Sequence, residues 1–580
     1  MDSHEISKGT DVSVDDVPPQ DAKTGSYEEE KNVSQAYPAT TREGDGRSLR
    51  VPPLPFFAPS HVPFQTLAKH NYLLYDVGSD CPHQRLFSFA QLLAFSLTFM
   101  ESWEVMAINI SATFWNGGPR SLVWGAIAVI IGSLAQAYSM AELGSILPIA
   151  GAQYHWTHIM APERSRRFIT WMQAGWVTWF AWVSALAGSS SGEAALLQAL
   201  IAENVPGYDA KRWHLTLIMW ALLISSGLIN TYTFWLVPWL ELASGIMHVL
   251  LFVVFMIVLL VLSPKSSTDF VWSSSSVLSG WDRSSFVAFN LGMLVPAWGF
   301  IGFDGVVHMS EEVRRAKHAV PRSMVLSIAI NGTMAFAIVL VLLYCIGNVD
   351  DALDASYPII PICFNATGSM KATNAMVSSL IILTYFVVAA SVASVSRITW
   401  AWARDGALPR RLAVIDPKLH VPVNATWLPI VIVCLLALFQ VGSTTGTAFS
   451  AFTALSSLGL YTSYIIAISC ILHARLTGRL SDDDKAPNHQ DAQAQVSYGA
   501  WRMWPGFATP VNVFALLWTV YLTVWLPFPT SLPVTGTNMN YALPIYAFVV
   551  LLALGSWFVW GQRHWKGLDL RAIGMVEAHD

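Results

Sequence analysis

The sequence predicts an all-α, polytopic membrane protein of about twelve transmembrane helices. They form a 5+5 inverted repeat with broken helices 1 and 6, followed by two further helices. Three observations carry this expectation. Of 580 residues, 54% are hydrophobic and only 12% are charged, against about 25% charged in a soluble domain, which excludes an ordinary water-soluble enzyme. No Asp, Glu, Lys or Arg occurs from Leu419 to Ala474 or from Met503 to Gln562. A helix crosses roughly 30 Å of hydrocarbon with about 20 apolar residues, so each of these stretches holds two crossings and a turn. Finally, two other apolar runs are interrupted by acids and helix breakers, one repeat apart.

Residues 1–85 are rich in Asp, Glu, Ser, Thr, Lys and Pro and contain no apolar run, which reads as a disordered cytoplasmic tail. No secretory leader is present in it, so the first span is expected to act as its own signal. The twelve-helix domain is expected over residues 86–562, and 563–580 as a short cytoplasmic tail. Within the domain the spans fall at about 86–115, 121–143, 168–197, 213–235, 238–262, 285–308, 323–346, 375–402, 427–441, 448–473, 510–526 and 541–560. The five cysteines are scattered without CxxC spacing and read as packing residues. No cofactor or metal site is expected, and the net charge of −5 leaves no nucleic-acid footprint.

Loops after even-numbered spans hold fifteen Lys and Arg, against six after odd-numbered spans. Positively charged loops stay on the cytoplasmic side, so both termini are expected there, with the plasma membrane as the host bilayer.

The first interruption is Glu101-Ser102-Trp103-Glu104; the second runs from Pro296 to Gly305 and includes Trp298, Gly299, Phe300, Gly302, Phe303 and Asp304. Broken helices at corresponding positions of two repeats point to a carrier's mid-membrane site, because unwound backbone exposes groups that bind solute. The alternative is that Gly and Pro merely permit close packing. With no Walker-type phosphate loop in the sequence, ATP is not expected to drive the process directly.

Three motifs also carry a family resemblance. They are Asn116-Gly117-Gly118-Pro119 with Ala141-Glu142-Leu143 and Pro148 to Trp156; Gly302 to Gly305 with His308 to Glu312; and Ser396-Arg397 with Ala403 to Pro409. In this order they resemble the amino acid/choline transporter branch of the amino acid, polyamine and organocation superfamily, over roughly residues 86–560. The resemblance implies alternating access, with solute held between the broken first and sixth helices. The first span departs from that pattern by placing Glu101 to Glu104 where many such carriers have a Gly-rich break.

On this reading Glu101, Ser102, Trp103 and Glu104, with Trp298, Gly299, Phe300, Gly302 and Phe303, form the candidate solute site. Glu101 and Glu104 share a face of a continuous helix, and two carboxylates in low dielectric call for a proton or a cation. With Trp103 offering a π face, a cationic amine is favoured; helix positioning is the alternative. His248, in the mostly apolar fifth span, is a candidate proton carrier or a buried neutral histidine. Asp304, Glu311, Glu312, Arg404 and Asp405 are candidates for coupling or gating. The partners expected are a small nitrogenous solute, a co-transported proton and lipid, with an exporter of a specialised amine or a nutrient sensor as alternatives. Among the Asn-x-Ser/Thr triplets only Asn365 falls in an expected external loop. Loss of a glycosidase-sensitive gel shift in Asn365→Gln is therefore the expected outcome, and a glycan at Asn32 would invert the topology.

Overall fold

A computed structural model describes residues 86–442, 445–481, 496–536 and 538–568. The expected tail over 1–85, with Asn32, and the residues after 568 lie outside the described residues. Nine of the described helices are long and apolar enough to cross a membrane: Gly118–Ile146, Arg212–Tyr232, Phe234–Leu262, Ala316–Tyr344, Met370–Arg404, Val423–Gly442, Thr447–Leu476, Ala508–Trp525 and Ala542–His564. These are the expected second, fourth, fifth and seventh to twelfth spans. The first, third and sixth are built in pieces. The first comprises Phe89–Met100, Ser102–Ile108 and Ile110–Trp115. The third comprises Glu163–Trp171, a wider π-type stretch Met172–Trp179 and Phe180–Asn204. The sixth comprises Ser285–Trp298 and Gly305–His308, joined by unwound chain.

Local chemistry accounts for several boundaries. Ser88 and Gln91 form a reciprocal capping box that starts the first span. Pro119 and Pro238 sit in the first turn of their helices, where the missing N–H costs nothing. The π-type stretch in the third span passes under a bulky ring: a Cβ on Gly175 would lie 1.6 Å from Trp402, so only glycine leaves room there. Widened turns of this kind concentrate at functional segments of helices.

Span pairing expresses the repeat. The second span packs on the seventh and the fourth on the ninth, while the third packs on the tenth and the fifth on the eighth. Exchanging spans one to five with six to ten maps the first two pairs onto themselves and the last two onto each other. The eleventh span lies on the second and tenth, and the twelfth on the tenth and the π-type stretch of the third.

Lipid removes the hydrophobic drive between helices, so close packing and polar contacts hold them together. Gln136 donates to Thr519 at 2.7 Å and Asn512 to Ser139 at 2.8 Å, tying the second span to the eleventh. A Cβ on Gly459 would lie 2.6 Å from the Ala181 Cβ, where the tenth span meets the third. Gly459→Val should therefore overpack this seam by about 1–3 kcal/mol and lower the unfolding temperature in detergent. Gly555→Val, which meets nothing within 4 Å, is the control and should leave the midpoint unchanged.

Candidate functional site

The first span breaks at Glu101, whose backbone is left-handed (φ 46°, ψ 35°), and the helix restarts at Ser102. The sixth stops after Trp298, and Gly302 takes φ 90° before the helix resumes at Gly305. A Cβ on Gly302 would lie 2.9 Å from the Phe99 ring, so glycine is required there for space as well as for conformation. The two breaks meet. The Ser102 hydroxyl donates to the Gly299 carbonyl at 2.5 Å. Groups freed by the unwinding are also met from the tenth span: Tyr461 donates to the Ala297 carbonyl at 3.3 Å, and the Gly302 N–H donates to the Tyr464 hydroxyl at 3.3 Å. Tyr464 in turn donates to Asp304.

Beside this junction lies a cavity of about 40 Å³. Since one water needs roughly 10–15 Å³ by such a measure, it has room for a few waters. Glu101 and Gly302 face it from the breaks, and Trp298 from the end of the sixth helix. Phe99 and Trp182 (ring centroids 5.2 Å apart), Ser189 and Ser391 complete much of the wall. The third and eighth spans thus contribute alongside the first and sixth.

Ser102, Trp103, Glu104, Gly299, Phe300 and Phe303 are not in that wall. The shared face expected for Glu101 and Glu104 assumed a continuous helix, and the left-handed turn at Glu101 breaks that register. Glu104 is instead fully buried against the fifth span, 2.5 Å from Nδ1 of His248. His248 Nε2 lies 2.9 Å from Asn331 Oδ1, and the Asn331 amide donates to the Leu97 carbonyl at 3.0 Å. Trp103 packs on Phe255 (5.4 Å) and Phe252 (6.1 Å), which spends its π face on the fifth helix. Phe303 packs against the Tyr464 ring at 5.2 Å, and Phe300 is buried.

The gating candidates gather at the proximal face of the bundle, the face carrying residues 86 and 568. Arg404 makes a bidentate contact with Glu311 (3.0–3.2 Å), whose carboxylate also accepts the Ala150 N–H at 3.2 Å. Arg397 holds Glu312 at 2.9 and 3.0 Å and lies 4.0 Å over the Phe234 ring. Asp304 accepts from Gln153 as well as Tyr464, and His308 Nδ1 lies 2.7 Å from the Ala150 carbonyl. Asp405 accepts from Tyr154 at 2.8 Å. Burial, with Asp405 adding to it, pushes the Tyr154 phenol well above its ordinary range; burial, reinforced by Arg404, pulls neighbouring His155 well below its own.

This face is also clasped from the chain ends. Phe87 pairs in extended conformation with Val313, exchanging hydrogen bonds with Glu312 and Arg314. Trp565, beyond the twelfth span, donates its indole N–H to the Asp405 carbonyl at 3.1 Å, and Arg167 donates to the Trp565 carbonyl.

Several participants were not singled out in the sequence. Gln153 and Tyr154 sit within the Pro148 to Trp156 motif, so their segment was marked but their roles were not. Asn331, in an Asn-x-Thr triplet inside a span, and Tyr464 have no pattern that distinguishes their roles. Glu193 had a usable signal: it is the one charged residue from Phe168 to Ala202. Asn365 is exposed, on the short helix Ile359–Thr367.

Two helices opened beside one another between packed repeats, with a small cavity at their junction and a clasped face, define a membrane carrier. Residues 87–551 match the family described as Amino acid permease. The chain belongs to the amino acid permease family. It is 30% identical to Amino-acid permease 2 of Neurospora crassa over 78% of this chain and 80% of that protein. It is also 27% identical to the Choline transporter of Saccharomyces cerevisiae over 84% of this chain and 83% of that one. An amino-acid permease of Arabidopsis thaliana is 26% identical over 82% and 90% of the respective chains.

Leaving one partner of a buried ion pair uncompensated costs about 3–5 kcal/mol. Glu311→Arg and Arg404→Glu alone should each lower the unfolding temperature, and the double exchange should recover much of the loss. Additive losses in this double-mutant cycle would show that the pair does not hold the face together.

Proposed function

We propose that this chain transports a small nitrogenous solute bearing positive charge across the membrane by alternating access, coupled to a proton. The observation that carries the reading is the Ser102–Gly299 contact, which joins the two helix breaks beside a cavity faced by the Glu101 carboxylate. The names of the fungal and plant relatives, amino-acid permeases and a choline transporter, support a nitrogenous solute. Glu101, rather than Glu104, meets its positive charge.

Glu104 and His248 carry the proton. They face each other across the first and fifth spans at 2.5 Å, closed from solvent, and Asn331 fixes the far ring nitrogen. A proton on this pair stabilises the junction of the two spans; its loss leaves an ionised carboxylate in low dielectric and favours their separation. Asp304, Glu311, Glu312, Arg404 and Asp405 form the gate that closes the proximal face. The excess of Lys and Arg in the loops of that face supports a cytoplasmic location for it and for both termini, with uptake across the plasma membrane as the direction of flux.

Reconstituted vesicles test this reading. Radiolabelled choline, γ-aminobutyrate, basic and neutral amino acids are offered with and without an inward proton gradient, and the gradient should accelerate uptake of the preferred cationic solute. Glu104→Gln removes a buried hydrogen-bonded charge worth about 1–3 kcal/mol. It should cut gradient-driven uptake about five- to hundredfold while solute exchange without a gradient persists. Equal sensitivity of the two modes would remove the coupling role.

A further inference from the structure

Most buried acids described above have a basic partner: Glu104 has His248, Glu311 has Arg404, Glu312 has Arg397, and Glu142 has Arg475. Glu101, Glu193 and, on the fifth span away from the cavity wall, Glu241 differ. Glu193 is 3% exposed, and neither of its carboxylate oxygens has a hydrogen-bond partner; one oxygen of Glu101 is likewise buried without one. Glu193 sits on the third span four residues, or roughly 6 Å, beyond Ser189, which lines the cavity and shares its helix face. Glu193 itself is not in the wall and stands one helical turn beyond it.

None of the residues lining the cavity is Lys or Arg, while Phe99, Trp182 and Trp298 give it aromatic walls. Glu193 is buried and Glu101 half-buried near a cavity with room for a few waters; carboxylates so placed call for a proton or a cation, and no basic side chain in the wall supplies a positive charge. A cationic solute can bring it.

We propose that Glu193 is the second anchor of the solute site, so that the preferred solute carries two positive charges spaced by an apolar chain, as a diamine does. Glu101 takes one cationic group and Glu193 the other, while the methylenes between them lie against the aromatic rings. A monocation leaves one carboxylate uncompensated and is carried less well. This inference rests on the reading of Glu101 as the residue that meets the solute's charge, and it adds the number of charges the site demands.

The test compares radiolabelled 1,4-diaminobutane with choline in proteoliposomes of the full chain. The wild type should favour the diamine. Loss of one partner of a desolvated charge pair predicts that Glu193→Gln lowers the diamine-to-choline ratio of uptake efficiencies about tenfold or more, with Glu193→Asp keeping most of the preference. Size-exclusion profile and unfolding midpoint establish that each variant is folded. An unchanged ratio in Glu193→Gln, or no diamine preference in the wild type, overturns the proposal. Should Glu193→Gln fail to fold, the wild-type unfolding midpoint decides: the diamine should raise it more than choline at equal concentration, and equal shifts overturn the proposal. Uptake of choline or an amino acid without the diamine refutes this inference alone, whereas absence of uptake for every nitrogenous solute refutes the transport reading with it.

Discussion

Backbone groups released where a helix unwinds inside hydrocarbon have no water to bond, so each must find a partner in the protein. This constraint organises the centre of the molecule. The opened sixth helix is met by Ser102 from the opened first and by Tyr461 and Tyr464 from the tenth, with Asp304 accepting from Tyr464. The paired breaks are therefore also a site of dense internal bonding. Whatever displaces these contacts must replace them, which favours a solute rich in donors and charge over an apolar one.

The left-handed turn at Glu101 separates two acids that a continuous helix would have kept together. Glu101 faces the cavity, and Glu104 points into the fifth span and its histidine. On the proposed reading, solute charge and proton are handled on two sides of one broken helix, and movement of the first span would act on both at once. The proximal clasp adds a third site moved by the same helix, because Phe87 at its start is bonded to the loop that carries Glu312.

Much of the architecture was legible in the sequence because lipid imposes a coarse code. Span length, absence of charge and paired interruptions located the nine long apolar helices among the described residues and the three further spans built in pieces. The paired acids and arginines of the proximal face were legible for the same reason: charge beside an apolar run is conspicuous. Side-chain direction was not. Periodicity assigned Glu104 and Trp103 to the solute, but a single residue with positive φ rotates everything after it, and no pattern of residue types announces that rotation. Asn331, Gln153 and Tyr464 were invisible for another reason, since their partners lie 83, 151 and 160 positions away. Glu193 stands alone in its span, but an isolated acid with no Gly/Pro interruption beside it carries no sign of which neighbours it faces.

The indole of Trp565 rests on the Asp405 carbonyl, and the Trp565 carbonyl is held by Arg167 at the start of the third span. The segment leaving the bundle is therefore stitched to two of the elements that line the pore, rather than hanging free of them. Force or crowding applied further along the polypeptide is transmitted to that stitch within three residues of Leu568. A reporter protein fused there would load the machinery whose motion it was meant to report.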